Sequence, residues 1–175
     1  MSYIVFNFPS VQYANKRIRA PRCTPIPTKT KRDLMIQRPE PVDEEVLFDG
    51  RSLISETDLK GVITFVNRKF VEMTRYSKEE AVGQPHSILR HPDMPKAAFA
   101  GMWKMIKEGK IWDGYVKNLR KDGKYYWVIV HIVPKRDEEG NIIGYIASRK
   151  MPDREQIKIV EQQYREMIEA EKAGE

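Results

Sequence analysis

Two short runs of strand-forming residues predict that the folded part of the chain begins with a β-hairpin. Residues 52–58 and 61–67 are rich in β-branched and other apolar side chains, and only Leu59 and Lys60 separate them. A connection this short between two such runs is typical of a pair of antiparallel strands.

Several helices are predicted to follow the hairpin. Ser77 and Glu80 have the spacing of a capping box, and Pro85 prevents this short helix from continuing. A longer helix is predicted over residues 95–108, because its apolar side chains recur at the spacing i, i+3, i+4, i+7 and form one stripe: Phe99, Met102, Trp103 and Ile106. Asp93 stands just before this helix and is predicted to be its N-cap.

Three long strands and a final helix complete the pattern. The strands are separated by turns at Asp122-Gly123 and Glu139-Gly140, and Asp-Gly between strand-forming runs is a strong hairpin signal. Residues 153–172 place five apolar side chains on one helical face: Ile157, Val160, Tyr164, Met167 and Ile168. The order of elements predicts an α+β fold with a single antiparallel five-stranded sheet, short helices on one face and a C-terminal amphipathic helix.

The distribution of charge divides the chain into regions. The net charge is +6, but residues 1–32 contain seven basic residues and no acid, so the remainder sums to −1. Six of the eleven prolines lie at or before Pro41, and proline opposes both regular helices and central strands. We therefore expect a basic, mostly disordered tail over residues 1–44, a folded domain over 45–152 and the amphipathic helix over 153–175. A targeting peptide, a partner-docking arm and an overextended start of the reading frame are the alternatives for the tail.

Composition also excludes several classes of protein. The basic charge belongs to the tail, so we expect no nucleic-acid binding by the folded domain. No apolar run approaches the roughly 20 residues that cross a bilayer, and the single cysteine, Cys23, excludes a disulfide framework and a cysteine metal site. The sequence has no nucleophile–base arrangement and no glycine loop that cradles phosphate. We expect a cytoplasmic protein that is not an enzyme and that meets the membrane only through a partner.

Several segments carry a resemblance to one family. The segment RHPDMPKAAFAGMW at residues 90–103 looks very like the signature of the PAS domains of bacterial aerotaxis receptors. Other segments match the same family in order and spacing: ITFVN at 63–67, GQPHSILR at 83–90, WDGYVKNLRKDG at 112–123 and YWV at 126–128. The resemblance covers roughly residues 52–149, and it implies a PAS fold.

The resemblance further implies a redox or oxygen sensor that binds FAD non-covalently and signals to a methyl-accepting chemotaxis transducer. Carried over position by position, the residues that it implies for the cofactor pocket are Asn67, Arg90, His91, Asp93, Trp103, Trp112 and Asn118. Their chemistry is compatible with a flavin dinucleotide. Arginine forms paired hydrogen bonds with phosphate, the N–H groups of a helix start attract the same anion, and an asparagine offers a donor and an acceptor to the flavin edge.

Each of these residues also has a purely structural interpretation. Trp103 lies on the apolar stripe and can pack in the core, and Asn67 can simply end a strand. His131 alternates with Trp127 on one strand face, so a core histidine is the default interpretation of that residue. The functional interpretation depends on the whole set of matched segments and not on any single residue.

Two other functions remain open at this point. A haem-binding PAS gas sensor needs an axial ligand, for which His86, His91 and His131 are the histidines available. A PAS domain without ligand can serve as a dimerisation or docking module. A blue-light sensor of the LOV type is excluded, because its photochemistry needs a cysteine beside the flavin and Cys23 lies in the tail.

Since the chain ends at Glu175 without an output domain, we expect signalling to a separate transducer, with a homodimer through the PAS domain or the last helix as a further option.

Overall fold

The computed structural model of the chain describes residues 36–47 and 49–174. Its five strands are β1 Leu53–Thr57, β2 Ile63–Val66, β3 Trp112–Leu119, β4 Tyr125–Arg136 and β5 Ile142–Lys150. They form one antiparallel sheet with the spatial order β2-β1-β5-β4-β3. The predicted fold class is therefore confirmed.

Helical segments connect β2 to β3 and cover one face of the sheet. They are α1 Arg68–Thr74, α2 Lys78–Ala81, a 3-10 helix His86–Leu89 and α3 Lys96–Lys107. The predicted capping box starts α2, because the Ser77 hydroxyl accepts from the Glu80 N–H while the Glu80 carboxylate accepts from the Ser77 N–H. We call the face of the sheet that these segments cover the inner face.

Alternate residues of the strands point to the inner face and form the main core. Met102 and Ile106 of α3 pack against them, so half of the predicted apolar stripe is buried. The strand residues of this core are Leu53, Val116, Tyr126, Val128, Val130, Ile132, Tyr145 and Ala147. α3 is thereby fixed over β3, β4 and β5, with its other apolar side chains, Phe99 and Trp103, only partly buried.

Gly144 marks the closest approach of β5 to the end of β1. A Cβ atom at this position would lie 2.2 Å from the carbonyl oxygen of Thr57, a distance that no side chain tolerates. The next residue, Tyr145, pairs with Thr57 in the register of β1 and β5. The glycine therefore allows the two halves of the chain to join at the centre of the sheet.

The last helix, α4 Arg154–Ala173, packs on the outer face of the sheet. Its Ile157 and Val160 contact Trp127 of β4, and the Tyr164 hydroxyl donates to the carbonyl oxygen of Tyr115 on β3 at 2.7 Å. The helix covers the part of the outer face that β3 and β4 form. Whether it also docks a partner stays a prediction.

Residues 36–46 lie against the domain. The N–H of Val42 donates to the carbonyl oxygen of Gly123, and the N–H of Val46 donates to that of Tyr125, both at 2.8 Å. The predicted tail of residues 1–44 therefore includes a segment that hydrogen-bonds with the β3–β4 turn. Positions 1–35 lie outside the described residues, and the boundary after residue 44 stays a prediction.

Two predictions about single residues are wrong. Asp93 is not the N-cap of α3, since Pro95 holds that position and Asp93 instead accepts a hydrogen bond from Lys117 Nζ at 2.7 Å. His131 is not a core histidine, because 51% of its side chain is exposed and its Nδ1 hydrogen-bonds with Asp113 at 2.8 Å. α4 covers only part of the outer face, and His131 lies on the part that it leaves open.

Candidate functional site

A cavity of about 670 Å³ lies between α3 and the inner face of the sheet. The turn between β1 and β2 and the 3-10 helix complete its walls. Its volume falls within the range of about 300–1,000 Å³ that is usual for small-molecule sites. The fold thus places one ligand-sized space beside the segments that carry the family resemblance.

The charge of the cavity wall is entirely positive. Of the described residues that line it, four are basic and none is acidic: Lys60, Arg90, Lys107 and Arg149. Apolar and aromatic side chains supply most of the remaining surface. A wall with cations, aromatic rings and no carboxylate favours an anionic ligand that also carries a flat apolar part.

Arg149, at the end of β5, is the most deeply buried of these cations. Its guanidinium donates to Ser55 Oγ at 3.0 Å, to the carbonyl oxygen of Ala147 at 3.3 Å and to His86 Nε2 at 2.7 Å. All three acceptors are neutral, and none of the described carboxylates forms an ion pair with this arginine. Burial lowers its pKa to about 10, so the group stays charged at neutral pH. A buried, uncompensated cation is costly in a protein interior, and an anionic ligand would offset that cost.

His86 is held neutral by its surroundings. Burial, together with the nearby charge of Arg149, lowers the pKa of the imidazole to about 3. An arginine only donates, so Nε2 of His86 accepts the hydrogen bond and the ring proton resides on Nδ1. The Ser55 hydroxyl lies 3.2 Å from the same nitrogen. Three elements, β1, the 3-10 helix and β5, thus meet in one polar cluster at the edge of the cavity.

We predict that His86 makes the domain less stable in acid. Below about pH 6.5 the unfolded chain binds a proton at this histidine, whereas the folded chain does so only near its lowered pKa of about 3. The contribution of neutral His86 to the free energy of unfolding is therefore complete above pH 6.5 and is lost as the pH falls. Part of the ring borders the cavity, so solvent reduces the effect to about 1–2 kcal/mol between pH 6.5 and pH 4.

Denaturant unfolding at several pH values measures this effect. His86→Gln keeps an acceptor for Arg149 but cannot be protonated, so its unfolding free energy should fall less between pH 6.5 and pH 4. The matched control is His131→Gln, which removes an exposed histidine on the outer face. Equal pH slopes for wild type and His86→Gln would contradict the assignment of a neutral His86.

Asn118 on β3 presents an unused hydrogen-bond donor to the same cavity. The residue is only 3% exposed, and its Nδ2 has no partner among the described residues. A buried donor without an acceptor costs roughly 1–3 kcal/mol, so such donors are rare in folded proteins. An oxygen or nitrogen atom of a ligand in the cavity could accept the hydrogen bond from Nδ2.

Arg90 and Trp103 also line the cavity. The guanidinium of Arg90 stacks over Phe99 at 4.5 Å and donates to the carbonyl oxygen of Met94 at 2.8 Å. Trp103 contacts Tyr145 edge to face, and Lys107 lies 5.5 Å above its ring. Together with Asn118, these are the sequence-predicted site residues that line the cavity.

The other four sequence-predicted site residues, Asn67, His91, Asp93 and Trp112, do not border the cavity in this structure. Asn67 caps α1 and accepts from the Phe70 and Ile54 N–H groups. His91 is buried, and its Nδ1 accepts from the N–H of Asp93. Asp93 forms the ion pair with Lys117 at 2.7 Å. Trp112 packs against the main core at the start of β3.

Two site residues were missed by the sequence analysis: Arg149 entirely, and His86 except as a haem ligand. One signal was available for the arginine. Tyr145, Ala147 and Arg149 alternate along β5 and share the inner face, where a charged side chain is unexpected. His86 lies within the matched segment 83–90, but its contacts with Ser55 and Arg149 come from strands distant in sequence and have no local pattern.

The described residues offer little support for other kinds of site. Of the three histidines only His86 lines the cavity, and its Nε2 is already bound to Arg149. Over residues 36–47 and 49–174, no three His, Cys, Asp or Glu side chains are grouped closely enough to hold a metal ion. None of the described helices combines the length and the apolar character that crossing a bilayer requires.

Comparison with known proteins identifies the family to which this fold belongs. Residues 63–149 match the protein family described as "PAS fold". The chain is 48% identical to the "Aerotaxis receptor" of Escherichia coli (strain K12) over 119 residues, which are 68% of this chain and 23% of the receptor. It is 30% identical to the "Bacterioopsin transcriptional activator" of Halobacterium salinarum over 65% of this chain and 17% of that protein. The chain thus spans less than a quarter of the length of these relatives.

A solved structure agrees at the level of the fold. The light-state structure of the blue-light photoreceptor Aureochrome1 LOV superposes with a TM-score of 0.58 and 24% identity, and the match covers 63% of this chain and 90% of that one. At this identity the likeness shows a common fold and nothing about the ligand.

Proposed function

The chain carries a sensor domain of the PAS family, and we propose that this domain binds FAD non-covalently in the cavity between α3 and the sheet. The single observation that carries the proposal is a buried positive charge and a buried hydrogen-bond donor that both face the cavity from the inner face. Arg149 is a buried cation without a carboxylate partner among the described residues, and Asn118 has a buried donor without an acceptor. The edge of a flavin ring offers electron-rich oxygen and nitrogen atoms that suit both groups.

The remaining wall suits the rest of a dinucleotide. Phe99 and Trp103 provide flat apolar surfaces, against which an aromatic ring of the ligand would pack. Lys60 and Lys107 are exposed at the rim, where they would meet phosphate oxygens without a large loss of hydration. The charges at the inner end and at the rim support a ligand with two polar ends, such as FAD.

In this proposal the four predicted site residues that do not border the cavity hold the elements that form its walls in place. Asn67 fixes α1 to β1, and the ion pair of Asp93 with Lys117 fixes the chain between the 3-10 helix and α3. His91 packs edge to face against Tyr125, and Trp112 packs against the main core at the start of β3. FAD would supply a redox-active ring, and the chain's own residues would bind it, orient it and exclude water from its inner edge.

We further propose that the domain reports the redox state of the cell by contact with a separate methyl-accepting transducer. The 48% identity to the aerotaxis receptor supports a sensory role, but it covers only 23% of that receptor. Pull-down with candidate transducers, compared between oxidised and reduced protein, tests this part. Binding that does not depend on redox state would contradict it.

The absorption spectrum of the purified full-length chain tests the ligand. We expect a yellow protein with the two visible bands of a flavin, which bleach when dithionite is added. Heat release followed by chromatography should give FAD rather than FMN. A Soret band would instead indicate haem, and a colourless protein that takes up no added FAD would indicate a docking module.

A further inference from the structure

The C-terminal end of α4 is hydrogen-bonded to the start of α3. Glu171 accepts from the N–H of Lys96 at 3.1 Å and from the N–H of Ala97 at 2.7 Å. α3 lies on the inner face and α4 on the outer face, with β3 as the edge strand of the sheet. Glu171 therefore connects the two faces of the domain around that edge.

This contact replaces a missing local cap. The N-cap of α3 is Pro95, whose side chain makes no capping hydrogen bond. The first N–H groups of a helix need an acceptor, and a carboxylate is the best one at this positive end of the helix. The hydrogen bond from the Ala97 N–H lowers the pKa of Glu171, because it stabilises the ionised carboxylate.

The second half of α4 is otherwise weakly held. A cleft of about 360 Å³ separates it from the sheet, with Asp93, Lys117 and Trp127 on one side and Arg165, Ile168 and Lys172 among the residues on the other. The first half, in contrast, is fixed by Ile157 and Val160. Segments with few buried apolar contacts open at the lowest free-energy cost.

α3 is also a wall of the proposed ligand site. Its Phe99 and Trp103 line the cavity, and Arg90 is tied to the turn before α3 through the carbonyl oxygen of Met94. A ligand that packs against these rings restricts the position of α3. The same restriction keeps the Lys96 and Ala97 N–H groups in place for Glu171.

We propose that Glu171 is a latch that couples ligand occupancy of the cavity to docking of residues 165–173 of α4. The proposal rests on the proposed function for the identity of the ligand, FAD. Coupling between two sites is reciprocal, so the latch should favour ligand retention by the same factor by which the ligand favours the docked helix.

The first measurement concerns the latch alone and uses the full chain without ligand. Amide hydrogen exchange at Lys96 and Ala97 should rise about tenfold in Glu171→Ala, because both N–H groups lose their acceptor. Glu171→Gln keeps one acceptor oxygen and should give a smaller rise. Glu166→Ala is the matched control, since its carboxylate bonds with Gln162 of the same helix. Unchanged exchange in Glu171→Ala overturns the latch.

The second measurement concerns the coupling. Release of FAD on dilution, followed by flavin fluorescence, should be about fivefold faster in Glu171→Ala and unchanged in Glu166→Ala. Loading the wild-type chain with FAD should slow hydrogen exchange over residues 165–173. Release that stays at the wild-type rate in a variant whose latch is open overturns the coupling. A wild-type chain that takes up no FAD overturns the proposed function and the coupling with it, while the first measurement still decides the latch.

Discussion

Replacing Trp127 with alanine is expected to lower the free energy of unfolding by about 3–5 kcal/mol. Trp127 is 4% exposed, stacks with Tyr164 at a centroid distance of 6.4 Å and contacts Ile157 and Val160. Its removal leaves a void beneath the first half of α4 that neighbouring side chains cannot fill. Because this is the main apolar contact of α4, the helix should also lose its protection from hydrogen exchange.

Denaturant unfolding of the full chain measures the loss. Ile159→Ala is the control, because Ile159 lies on the opposite side of α4 and is 52% exposed; it should cost less than about 0.5 kcal/mol. A loss below about 1 kcal/mol for Trp127→Ala would mean that α4 does not stay on the domain in solution. That outcome would favour the alternative in which this helix serves a partner.

The fold was largely predictable because its signals are local. The hairpin turns and the capping box at Ser77 each depend on residues within a few positions of one another. Asp93 shows the limit of such reasoning. Its spacing suits an N-cap, but Lys117 from a distant strand offers the carboxylate a donor with a full positive charge, which adds an ion pair to the hydrogen bond.

The site was predictable only in part, because several of its contacts join residues that are distant along the chain. Arg90 and Asn118 belong to segments that resemble a known family, and both line the cavity. The cluster of Ser55, His86 and Arg149 comes from three elements that the sheet brings together, so no spacing along the chain indicates it. Glu171 is 74 residues from its partner Ala97, and it too could not be foreseen from local pattern.

Replacing Asn118 with leucine is expected to change stability and ligand retention in opposite directions. In the ligand-free chain the substitution removes a buried donor that has no partner and keeps a side chain of similar volume, so stability should stay equal or rise. In the loaded chain the ligand loses its hydrogen bond inside the cavity. A loss of about 1–3 kcal/mol corresponds to roughly 5- to 150-fold weaker retention of FAD.

Opposite changes in the stability of the ligand-free chain and in FAD retention distinguish a ligand-binding residue from one that merely supports the fold. Asn141→Leu provides the contrast, because Asn141 bonds with Asp137 in the β4–β5 turn, away from the cavity. It should lower stability and leave FAD retention unchanged. Thermal unfolding without ligand and fluorescence titration with FAD give the two quantities for each variant. If Asn118→Leu destabilised the ligand-free chain and retained FAD as wild type does, the donor would serve the fold and Asn118 would not be a ligand contact.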